Sequence, residues 1–112
     1  MSISLTELFP GATQNATSLT LDKGFMSAYG LVATSSNNPE AMVLCIIARC
    51  AEILTESRRA NNRTTQRVAI TFAGQDAIED VPGSGEYVNR LVYSAINYNP
   101  ITLGDLDVSS FD

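Results

Sequence analysis

The ten residues from Ala41 to Cys50, AMVLCIIARC, limit what this chain can fold into more than any other stretch. Eight uncharged, mostly apolar residues run together before Arg49 interrupts them. A helix that crosses a bilayer needs about 20 such residues, so the run is too short for a membrane span. Its surroundings mark the start of a helix in water. Asn38 is a favoured N-cap, Pro39 suits the first helical position, and Glu40 complements the partial positive charge of a helix N-terminus. Arg58 and Arg59 suit a last turn and Asn61-Asn62 an end, so the pattern predicts one long central helix over about 39–59. Val43, Ile47, Cys50 and Leu54 fall at helical spacing, and Leu44, Ile46, Ala51 and Ile53 widen the stripe.

Such a helix has a covering problem. Met42, Leu44, Cys45, Ile46 and Ile47 together point in nearly all directions, whereas one sheet covers only one side of a helix. Either the N-terminal arm, residues 1–12, and the segment KGFMSAYG close over the other side, or another subunit does. The expectation is that another subunit takes part and that Arg49 marks the exposed edge.

The rest of the chain supplies strands and turns. In the arm, Ser4 and Glu7 have capping-box spacing ahead of Pro10-Gly11, so a turn of helix is expected there. Residues 17–21 alternate as a short strand, and Lys23–Leu31 could form a short helix weakened by Gly24 and Gly30. Val68, Ile70 and Phe72 alternate with polar or small residues, a half-buried strand; DAIEDV continues more weakly toward the turn VPGSGE. Residues 86–98 carry two conflicting signals. Val88, Leu91, Val92, Ala95 and Ile96 fit a helical face, yet the tyrosines and β-branched residues, following a hairpin turn, favour a strand. The strand is the reading adopted. The sum is an α+β domain spanning 1–112, with the long helix packed on a small, mainly antiparallel sheet that includes the N-terminal strand. Residues 100–112 read as an acidic tail.

Charge narrows the function. The chain has seven basic and twelve acidic residues, a net charge of −5, and only 17% charged residues. That balance disfavours nonspecific binding to nucleic acid or anionic membranes. The charges are also segregated: Arg58, Arg59, Arg63 and Arg67 lie within ten residues, while 76–112 holds Asp76, Glu79, Asp80, Glu86, Asp105, Asp107 and Asp112 against Arg90 alone. Complementary contacts, within the chain or head-to-tail between copies, are therefore open to it. The four bases are all Arg, which suits bidentate pairing with carboxylates, but no aromatic residue lies among them to stack a nucleic-acid base.

Catalytic and metal-binding patterns are sparse. The chain has no histidine, which removes Ser-His-Asp, Cys-His and His-metal sites. On one helix Cys45 and Cys50 would stand roughly 8.5 Å apart, beyond disulfide reach, so they are expected as reduced, buried thiols in a cytoplasmic protein. The sequons at Asn15 and Asn62 then have no glycosylation role, and MSISLTELFPG has neither the basic start nor the apolar run of a secretory signal. PGSGE, residues 82–86, lacks the Lys-Ser/Thr of a phosphate loop. Asp76, Glu79, Asp80 and Glu86 do not have calcium-loop spacing and read as a solvated edge.

These features point to a non-enzymatic interaction or assembly protein without a cofactor. Its partners would be further copies or other protein subunits; a component of a larger particle, such as a phage-like virion, fits the description. Met42, Ile46, Arg49, Arg58, Arg59, Arg63, Tyr87 and Tyr93 are the candidate interface residues. The competing expectation is a small-molecule binding module or minor enzyme, with a pocket between helix and sheet whose polar groups come from Arg90 and the carboxylates near residue 80.

Overall fold

In the computed structural model, which describes residues 2–99, the chain is mixed helix and sheet. The order is α1 (Leu5–Leu8), β1 (Thr13–Gln14), β2 (Leu19–Thr20), a 3-10 helix (Lys23–Tyr29), α2 (Pro39–Ile53), α3 (Glu56–Asn61), β3 (Val68–Glu79) and β4 (Tyr87–Asn97). The 100–112 segment, read above as an acidic tail, lies outside the described residues.

The N-terminal elements form through local side-chain bonds. Ser4 Oγ accepts from the Glu7 backbone N–H at 3.2 Å while Glu7 Oε1 accepts from the Ser4 N–H at 3.3 Å, the reciprocal capping box that starts α1. Asn15 Oδ1 accepts from the Thr17 and Ser18 N–H groups and so turns β1 back onto β2. Asp22 caps the 3-10 helix through Gly24 N–H, and Gly30 ends it in the left-handed conformation at φ 89°.

Helix α2 begins as its sequence dictates. Asn38 Oδ1 accepts from the Glu40 and Ala41 N–H groups, with Pro39 at the first position. Its end is different from the expected one: the helix over 39–59 is broken into α2 and α3. Thr55 adopts an extended conformation (φ −79°, ψ 159°) and its hydroxyl accepts from Arg58 N–H at 3.0 Å, so it caps a new helix instead of continuing the old one. The break leaves the Leu54 carbonyl outside the helical ladder, and it accepts from Ile70 N–H of β3 at 2.9 Å.

The sheet also differs from expectation. The strand at Leu19–Thr20 pairs antiparallel with Thr13–Gln14 in its own small hairpin and does not join the second-half strands. Residues 86–98 do form a strand, which settles the two signals in that segment: β4 pairs antiparallel with β3 along their whole length. Twelve residues of β3 make a ribbon about 40 Å long at the usual rise per residue.

The core lies between α2 and the N-terminal elements, not between α2 and a broad sheet. Phe9, Ala12, Phe25, Met26 and Cys45 form its buried centre, with Leu5, Leu8, Leu21, Tyr29, Leu31, Met42, Ile46 and Cys50 packed around it. The Phe9 and Phe25 rings meet at 5.6 Å between centroids, inclined by 41°. The base of the ribbon packs on α2 and α3, where Ala69 is fully buried. Among the described residues no helix is long and apolar enough to cross a membrane.

Candidate functional site

Two surfaces stand out: the β3–β4 ribbon, and an arginine-lined cleft at its base. The ribbon owes its character to one irregularity. From Val68 to Phe72 the strands pair in regular alternation, with Ile70 opposite Ala95 and Phe72 opposite Tyr93. Between Phe72 and Gly74 the register shifts, and Ala73 is the extra residue of a β-bulge. Gly74 has a φ of 142°, a conformation that side-chain-bearing residues rarely adopt. Past the bulge the parity of β3 reverses. One face therefore carries Ile70, Phe72, Leu91 and Tyr93, and the other carries Asp76, Ile78, Val88, Arg90, Val92 and Ile96.

Both faces are apolar, and both are open. Phe72 is 51% exposed, Leu91 43%, Val88 40% and Val92 40%. Phe72 and Tyr93 pack ring to ring at 5.3 Å between centroids. Asp76 and Arg90 form a two-point ion pair across the strands, at 3.0 and 2.7 Å, so Arg90 holds the Asp76 carboxyl below the usual carboxylate range. At the tip, Glu79 accepts from Gly83 N–H at 2.7 Å and Gly85 N–H at 2.9 Å, which likewise lowers its pKa. The carboxylates at 76 and 79 are thus occupied in building the hairpin.

A cleft of about 340 Å³ separates α2 from the ribbon, lined among others by Leu44, Cys45, Ala48, Leu91 and Tyr93. Its walls are apolar. Arg90 and Asp76 stand on the opposite face of the ribbon, and the carboxylates near residue 80 do not line it.

The second surface begins with the break in the helix. The α3 helix is capped by Thr55 at its start and by Asn62 at its end, and the Asn62 carbonyl accepts from the Thr65 and Gln66 N–H groups and reverses the chain. Arg67 then runs back beside α3, and its carbonyl accepts from Tyr98 N–H at 2.7 Å. The result is a cleft of about 220 Å³ lined by Arg59, Arg63, Thr64, Arg67, Tyr98 and Asn99. The Arg59 guanidinium lies over the Tyr98 ring at 3.8 Å. Tyr98 O–H in turn donates to both Glu56 oxygens at 2.8 Å, and this bond raises its pKa.

The eight candidate interface residues are not gathered in one place. Met42 and Ile46 pack against the chain's own core. Arg49 does not mark an exposed edge: it is half-buried and donates to the Leu8 and Glu7 carbonyls at 2.7 and 2.9 Å, fastening the arm. Arg58 turns inward and donates to Gln66 Oε1 at 2.5 Å, while Arg59 and Arg63 line the arginine cleft. Tyr87 and Tyr93 share one ribbon face. Phe72, Leu91, Val88, Val92 and Arg67 are surface residues outside the eight candidates; the alternation of β3, the apolar spacing within 86–98 and the spacing of the arginines were the signals for them. Among the described residues no three Cys, Asp or Glu side chains gather as a metal site. Comparisons with protein-family models, with curated proteins and with solved structures find no match to this chain.

Proposed function

We propose that this protein is a non-enzymatic assembly component that self-associates through the β3–β4 ribbon, as one subunit of a larger particle such as a phage-like virion. The observation that carries the reading is the ribbon's two apolar faces. A two-stranded ribbon is marginally stable in water unless a hydrophobic face is covered. This one exposes Phe72 and Leu91 on one side and Val88 and Val92 on the other. The chain's own body lies across the cleft from the Leu91–Tyr93 side, and on the other face it buries Ala69 at the base of the ribbon. Repeated copies of the chain offer matching apolar ribbons, and subunit interfaces are built from such patches. The Asp76–Arg90 pair amid the apolar residues would set register between neighbours.

The core side of α2 weakens one argument and leaves another. The arm and the 3-10 helix cover Met42, Cys45 and Ile46, so that face of the helix needs no partner. Val43 and Leu44, at 53% and 46% exposure, remain open beside the ribbon. The small-molecule reading has less support, because the cleft between helix and ribbon lacks the few convergent polar groups that orient a ligand.

Sedimentation velocity tests the reading. The wild-type chain is expected to associate as its concentration rises, and the double variant Val88→Glu/Val92→Glu to sediment as a monomer with unchanged circular dichroism. A wild-type chain that stays monomeric from micromolar to millimolar concentration would overturn it.

A further inference from the structure

We infer that the arginine cleft at the base of the ribbon is a carboxylate-binding site, and that its occupant is the acidic segment 100–112 of the same chain. The inference stands apart from self-association through the ribbon.

Three observations support it. The first is unspent positive charge. Arg59, Arg63 and Arg67 converge on one cleft of about 220 Å³. Among the described residues neither the Arg63 nor the Arg67 guanidinium has a hydrogen bond or ion pair, and the buried Nε of Arg59 has no acceptor. A buried donor without a partner is destabilising, so the cleft favours an acceptor that would satisfy it. The nearby carboxylate, Glu56, is engaged by the Tyr98 hydroxyl. A planar guanidinium binds a carboxylate through two parallel N–H bonds, and the cleft adds the Thr64 hydroxyl and the Asn99 amide.

The second is complementarity. Residues 100–112 carry Asp105, Asp107 and Asp112 and no base. Three carboxylates in the segment match three guanidiniums in the cleft by charge and number, in a protein whose other acidic residues outnumber its bases.

The third is continuity. Asn99 is itself part of the cleft wall, so the segment starts at the site. Asp105 follows six residues later, a reach of up to about 20 Å. A tether this short gives an effective concentration in the millimolar range, above that of a second copy in ordinary solution. The same tether makes the segment a competitor for any other anion, nucleic acid included, that would enter the cleft.

Hydrogen exchange read by mass spectrometry on the full-length chain tests the assignment. Backbone amides in 100–112 are expected to exchange about tenfold more slowly in the wild type than in Arg63→Glu/Arg67→Glu. Both arginines are exposed, so the variant keeps its fold. Adding Asp105→Arg/Asp107→Arg to that variant is expected to restore the protection. Dilution of the wild type is expected to leave it unchanged. Equal exchange in wild type and variant would overturn the site. Protection that fades on dilution would overturn the same-chain assignment and place the segment in a neighbouring copy. A ribbon that fails to associate leaves these outcomes unaffected.

Discussion

Gln66 is a buried polar side chain whose three bonds hold together the corner between α3 and β3. Its amide N–H₂ donates to the Thr55 and Val68 carbonyls at 3.1 and 3.0 Å, and its carbonyl accepts from Arg58. Removing it strands three groups, so Gln66→Ala is expected to lower stability by about 2 kcal/mol in urea unfolding. The thiols make a second prediction. Cys45 is buried, and burial raises the Cys50 thiol above its ordinary pKa although Arg49 acts the other way. Both should react slowly with a thiol reagent in the folded protein and quickly in denaturant. Glu79 supplies a pH dependence. Gly83 and Gly85 N–H bonds lower its folded pKa, so its contribution is complete above the ordinary glutamate range and is lost as pH falls through the lower folded value. The Gly83 and Gly85 amide shifts in an NMR titration should move together, with a midpoint below that of a free glutamate. A midpoint at the ordinary value would show that the tip is not held this way.

At the scale of elements, the break after Ile53 decides more than the helix length. It frees the Leu54 carbonyl for β3, turns Arg58 inward and sends Arg59 toward the cleft. Thr55→Ala should cost about 1 kcal/mol, the usual loss for an N-cap, measured by thermal or urea unfolding. The bulge at Ala73 has a comparable reach. Gly74 sits at a positive φ with open space around it, so the obstacle to a side chain there is the backbone conformation and not a clash. Gly74→Val should loosen the distal half of the ribbon, read as faster amide exchange in β4, while the core around Phe9 and Phe25 keeps its protection. Both features left marks in the sequence. Thr55-Glu56 is a helix-start signal set inside a longer helical pattern, and Gly74 follows a clean strand alternation.

For the molecule as a whole, the arm and the ribbon are opposite cases. The arm is fastened by Arg49 to the Glu7 and Leu8 carbonyls and by Phe9 in the core. Arg49→Ala removes two charge-assisted bonds and should free residues 2–9 to exchange faster, at a cost of about 1.5–3 kcal/mol. The ribbon has no such cover along its distal half, and it is there that the proposed association would bury apolar surface. Sedimentation of the Val88→Glu/Val92→Glu variant separates the two: it should lose association and keep the arm.

The sequence by itself determined the features that arise within a few residues. The capping box of α1, the Asn38–Pro39–Glu40 start of α2, the strand character of 68–72 and the absence of histidine chemistry all follow from side chains acting on nearby backbone or from composition. Long-range choices belonged to the tertiary structure. The apolar directions of α2 were legible, but whether the arm or a second subunit covers them depends on contacts some forty residues apart in sequence, such as Arg49 to Glu7. The two N-terminal strands pair with each other because Asn15 makes the shorter turn, a local closure that costs less entropy than joining β3. Parity past Phe72 was likewise open, since one unpaired residue exchanges the faces of every residue after it. That single shift places Phe72 and Ile78 on opposite sides, so β3 adds apolar residues to both faces, as β4 does by its own alternation.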